Sequence, residues 1–75
     1  MSNTQQVRAE MVANVLRLEV QVGAEVHSGD TLLLLESMKM EIPVLAEGAG
    51  RVSAILVAPG TVVQEGDVLV ELESR

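Results

Sequence analysis

Few side chains in this sequence can do chemistry, and one stands apart. Lys39 is the only lysine, and it lies in the stretch Glu36-Ser37-Met38-Lys39-Met40-Glu41, between two methionines. Cysteine is absent, which removes thiol nucleophiles, disulfides and thiolate metal sites. The single histidine, His27, sits between Val26 and Ser28 on a polar turn and reads as a loop residue, not as a base. The carboxylates are scattered along the chain and read as a solvated face. One histidine and dispersed acids do not make a metal cluster. No arrangement for nucleophilic, acid–base or metal catalysis is visible, so the sequence offers one side-chain primary amine and no machinery around it.

The scaffold that must hold this amine is small. The chain has 75 residues, which is enough for one domain and a modest core. Without any aromatic residue that core is built from Val, Leu, Ile and Ala, and the stacking platforms of single-stranded nucleic-acid binders are missing. A formal charge of −6 repels DNA, RNA and anionic membrane surfaces, so neither nucleic acid nor membrane is expected as a partner. The polar start, residues 1–6, lacks the basic-then-apolar order of a secretory signal. Apolar runs such as residues 32–35 are far too short to span a bilayer. A cytoplasmic location is the expectation.

The chain is written twice. With an offset of 37 positions, residues 7–37 lie over 44–74 without a gap, and 13 of the 31 pairs are identical. They include Gly23/Gly60, Gly29/Gly66, Asp30/Asp67 and Glu36/Glu73. Chance likeness in a Val- and Leu-rich chain does not explain matched glycines and acids in unbroken register. Two similar halves, neither able to bury its apolar face alone, are expected to pack around one core with pseudo-twofold symmetry.

Each half reads as β. Alternation in "VLRLEV" and its mate "VSAILV" has the period of a half-buried strand. Gly23, Gly60 and the two Gly-Asp pairs mark turns. The pattern predicts strands near 6–10, 13–20, 31–37, 40–45, 50–57 and 67–73, with very short strands at Val26 and Val63. That makes an all-β flattened sandwich or barrel. Residues 1–5 are expected to be a flexible tail. The helix formers in "LLLLESMKMEI" raise a competing short helix over 32–41. The repeat argues against it, because Leu32–Ser37 copies the Leu69–Ser74 segment that follows a Gly-Asp turn.

The repeat also places Lys39. Residues 38–43 are the junction between the copies, and Lys39 has no counterpart in the duplicated unit. If 31–37 and 40–45 are strands, Met38-Lys39 is the tip of a two-residue hairpin. Such tips favour Asn-Gly or Asp-Gly, since both central residues need positive φ. Met and Lys there cost roughly 1 kcal/mol or more each. A strained tip presenting two exposed methionines suggests that another protein reads it.

"ESMKME" resembles the attachment motif of biotinyl domains, in which Met-Lys-Met sits on a hairpin. "VGAEVHSGDTLLLLE" upstream and "IPVLAEGAGRVSAILVAPGTVVQEGDVLVEL" downstream resemble the rest of that family, over nearly the whole chain. The likeness is greatest to free-standing biotin/lipoyl attachment proteins. It implies two four-stranded sheets with quasi-twofold symmetry, a barrel-sandwich hybrid. It implies covalent biotin on Lys39 and ligase recognition by Glu36, Met38, Met40 and Glu41. Ser37 stands where relatives usually have Ala. The usual turn glycine survives only in copy two, as Gly50. Lipoyl relatives carry Asp-Lys-Ala-type flanks, so Met38 and Met40 favour biotin over lipoate.

The resemblance also implies a mechanism. A biotin protein ligase would acylate the Lys39 amine from biotinyl-adenylate. The domain would then carry CO2 from a biotin carboxylase to a carboxyltransferase acting on an acyl-CoA, as a carrier and not an enzyme. The alternatives are a lipoyl carrier and an unmodified sandwich domain used for protein interaction.

Overall fold

A computed structural model describes residues 3–74. Eight strands follow one another: β1 Thr4–Arg8, β2 Ala13–Leu18, β3 Glu25–Val26, β4 Thr31–Ser37, β5 Met40–Leu45, β6 Gly50–Ile55, β7 Val62–Val63 and β8 Val68–Ser74. They form two four-stranded antiparallel sheets, ordered β1-β8-β6-β3 and β5-β4-β2-β7. The segment 32–41 is strand and hairpin, so tertiary pairing overrides its helix propensity. β2 and β6 end at Leu18 and Ile55, earlier than the alternation suggests. β1 begins at Thr4 rather than near residue 6. The expected tail over 1–5 is corrected at Thr4 and Gln5, which pair with Glu73 and Leu72 of β8. Met1 and Ser2 lie outside the described residues.

The offset of 37 survives into hydrogen-bond detail. A bulge in β2 between Val15 and Arg17 reappears in β6 between Val52 and Ala54. Gly29 N donates to Ala46 O and Gly66 N donates to Ala9 O, both at 2.8 Å. Each Gly-Asp turn is locked the same way. Asp30 N donates to His27 O while its Oδ2 accepts from His27 N, and Asp67 repeats this with Gln64. The positive φ of Gly29 and Gly66, 93° and 92°, starts the turn and the aspartate closes it.

The two copies do not pack as separate halves. Each sheet takes its central pair from one copy and its edge strands from the other: β8 and β6 lie between β1 and β3, and β4 and β2 between β5 and β7. The repeat alone did not show this interleaving, because sequence identity fixes which residues are equivalent but not which sheet an edge strand joins. The core repeats in the same pairs: Ala9/Ala46, Val15/Val52, Val26/Val63, Leu32/Leu69, Leu33/Val70 and Leu35/Leu72 are all buried. Leu32 and Leu33 are both inside although adjacent, because the β4–β5 register slips between Thr31 and Leu33.

The chain also fixes which ends meet. β1 ends with Arg8 opposite Val68, and β2 begins with Asn14 one residue in, opposite Glu36. Residues 9–12 join them, and at about 3.5 Å each the four reach at most about 14 Å, enough to cross the roughly 10 Å between stacked sheets but not the length of the body. So β8 starts near the pole where β4 ends. The β4–β5 hairpin and the paired ends Asn3 and Ser74 then occupy opposite poles of a body 39 Å long.

Candidate functional site

The lysine is carried by a hairpin whose first strand lies inside a sheet. β4 is held between β5 and β2 and buries Leu32, Leu33 and Leu35, so its last residues project from a fixed base. Ser37 pairs with Met40, leaving Met38 and Lys39 as the two-residue tip. Their φ angles are 53° and 66°. This is the primed-turn geometry that matches strand twist, adopted by residues that ordinarily avoid it. They are the only non-glycine residues with positive φ among those described.

Exposure follows from position. Met38 is 89% exposed and Met40 61%, so neither methionine serves the core. Lys39 is exposed and makes no hydrogen bond or ion pair with any described residue. A single amine therefore stands free at the pole, between two flexible apolar side chains.

Glu36 and Glu41 face each other directly beneath the tip. They alternate with the buried Leu35, so they lie on the outer face of the sheet. The structure thus gathers all five residues expected at the site, Glu36, Met38, Lys39, Met40 and Glu41, on one hairpin. The cross-strand row continues beyond them: Glu36 lies opposite Asn14, and Asn14 opposite Val62, which is 58% exposed. Asn14 and Val62 were not singled out from the sequence. The signal was present in the repeat, where they stand over Arg51 and Glu25, but only sheet register brings them to the site.

The departure at Gly50 has a physical cause other than a turn. Its φ is not positive, but a Cβ there would lie 2.5 Å from the Glu73 backbone oxygen. Gly50 pairs with Ser74, whereas the last β2–β4 pair is Asn14 with Glu36, and Ala13 carries its methyl in the core. The lysine end therefore needs no glycine. Elsewhere, a cleft of about 640 Å³ runs between β1 and β5, lined in part by Val7, Leu35, Ile42 and Val44. Lys39 is not part of it.

The family model described as "Biotin-requiring enzyme" matches residues 5–72. The chain is 57% identical over 63 residues to the biotinylated protein TB7.3 homolog of Mycobacterium leprae, covering 84% of this chain and 89% of that one. It is 40% identical over 68 residues to the biotin/lipoyl attachment protein of Bacillus subtilis, covering 91% and 93%. Among solved structures, a single-chain, multi-domain long-chain acyl-CoA carboxylase superposes with a TM-score of 0.90 at 33% identity, over 96% of this chain and 7% of that one. This chain belongs to the biotin/lipoyl attachment family.

Proposed function

We propose that this domain is a biotin carboxyl carrier, with biotin joined through an amide to Lys39. The observation that carries the reading is the lone lysine amine, held at the pole on a strained turn and free of any partner among the described residues. The site fits the group. An exposed Nζ can be acylated without disturbing the core, and Met38 and Met40 offer adaptable apolar contact beside it.

In the loading step, the Lys39 nitrogen attacks the acyl carbon of biotinyl-adenylate. The C–N bond forms, the acyl–phosphate bond breaks and AMP leaves. The attacking amine must be neutral, so Nζ has to give up a proton as the amide forms. No described residue accepts that proton, so the base belongs to the biotin protein ligase. The domain contributes presentation: a rigid hairpin lowers the ordering cost of docking. Glu36 and Glu41 add a charge that selects among ligases. Bound biotin supplies the ring nitrogen on which CO2 travels.

The chain itself is a non-catalytic component. It serves a biotin carboxylase and a carboxyltransferase acting on an acyl-CoA, in the cytoplasm. Its likeness to a segment of an acyl-CoA carboxylase supports that assignment of partners.

Intact mass of the protein from its own cell tests the reading. The expected result is one added biotin, lost in Lys39→Arg. An added lipoyl group, or no modification, would overturn it.

A further inference from the structure

The two poles of the molecule are built from the same row of residues, yet they differ in charge. At the far pole the outer row of the first sheet runs Thr4–Glu73–Arg51–Glu25. There Arg51 Nη2 donates to Glu73 Oε1 at 3.0 Å, so the conserved position of the repeat, Glu73, is neutralised. At the lysine pole the equivalent row runs Glu41–Glu36–Asn14–Val62. Each of the other three positions has changed. Thr4 is replaced by Glu41, Arg51 by Asn14 and Glu25 by Val62. Glu36 faces a second carboxylate on one side and an uncharged amide on the other. Neither Glu36 nor Glu41 makes an ion pair with a described residue.

Stability does not explain the difference. An exposed pair such as Arg51–Glu73 contributes about 0–1 kcal/mol. Carboxylates directly opposite each other destabilise the sheet slightly. The row is also continuous with the attachment site, since Glu41 lies two residues from Lys39 on the same hairpin. Val62 adds an exposed apolar side chain at its other end, as Met38 and Met40 do at the tip.

We infer that Asn14 and Val62 are specificity-determining residues, and that the ligase docks along this whole row, across all four strands of the β5-β4-β2-β7 sheet. Asn14 keeps Glu36 free to meet a cationic group of the ligase, and Val62 meets an apolar one. The inference rests on the biotin-carrier reading and adds the surface by which the ligase approaches Lys39.

Asn14→Arg tests it, because it recreates at the lysine pole the ion pair of the far pole. Val62→Glu recreates the far end of the row. Each variant, checked for native circular dichroism, is titrated against the cognate biotin ligase, with intact mass as the readout. The expected result is a roughly tenfold rise in KM with kcat unchanged, and for Asn14→Arg a weaker dependence of KM on salt than the natural protein is expected to show. Arg51→Asn at the far pole is expected to leave KM unchanged. Natural KM values for both folded variants, or an equal rise for Arg51→Asn, would overturn the inference. A natural protein that the ligase never modifies would overturn the carrier reading instead, and this inference with it.

Discussion

At the scale of the residue, the site trades conformational ease for an unusual side chain. Met38 and Lys39 hold positive φ without being glycine or asparagine, at a cost of roughly 1 kcal/mol each. Met38→Asn is therefore expected to raise the urea midpoint, by up to about 1 kcal/mol of stability, while slowing biotinylation. A lower midpoint would show that Met38 belongs to the packing. Met40→Gln is expected to slow biotinylation too, with the β spectrum retained. This part of the site was legible in the sequence because strain leaves a trace. "MK" is the wrong chemistry for a hairpin tip, and the repeat showed that nothing in the scaffold required it.

At the scale of the element, the two copies use different means to the same end. Gly50 must be glycine because the Glu73 backbone crowds it, while Ala13 fills the core at the equivalent place. Gly50→Ala is expected to destabilise by about 1–3 kcal/mol, measured by chemical denaturation. Ala13→Gly removes a buried methyl and loosens the strand, costing about 1–2 kcal/mol. The sequence suggested a turn at Gly50; close approach between β6 and β8 is the reason, and only the fold reveals it. Strand number, order along the chain and the Gly-Asp turns were readable, since alternation and glycine spacing are local. The row that joins Glu41 to Val62 was not, because its members are far apart in sequence and meet only through register. β5 is an edge strand, and Pro43 within it offers no N–H. Pro43→Thr is expected to increase self-association, detectable by light scattering at high concentration.

At the scale of the whole molecule, interleaving makes the two copies interdependent. β1 has its partner in the second copy and β5 in the first, so a fragment ending at Met38 lacks partners for β1 and β3. Such a fragment is expected to be unfolded by circular dichroism, and addition of residues 39–75 to recover β structure. Substitution at Leu33 acts on the same shared core. A Leu→Ala change there costs about 2–5 kcal/mol, a large share of the roughly 4–11 kcal/mol typical of a chain this size. The pairing of Asn3 with Ser74 has a further consequence. These residues close the far pole as Met40 and Ser37 close the near one, so the ends of the domain emerge side by side, remote from Lys39. Such a body is a plug with both leads on one side. It can be spliced into or tethered to a larger chain without turning its cargo away from solvent, and one architecture thereby suits both a free carrier and a segment of a giant enzyme.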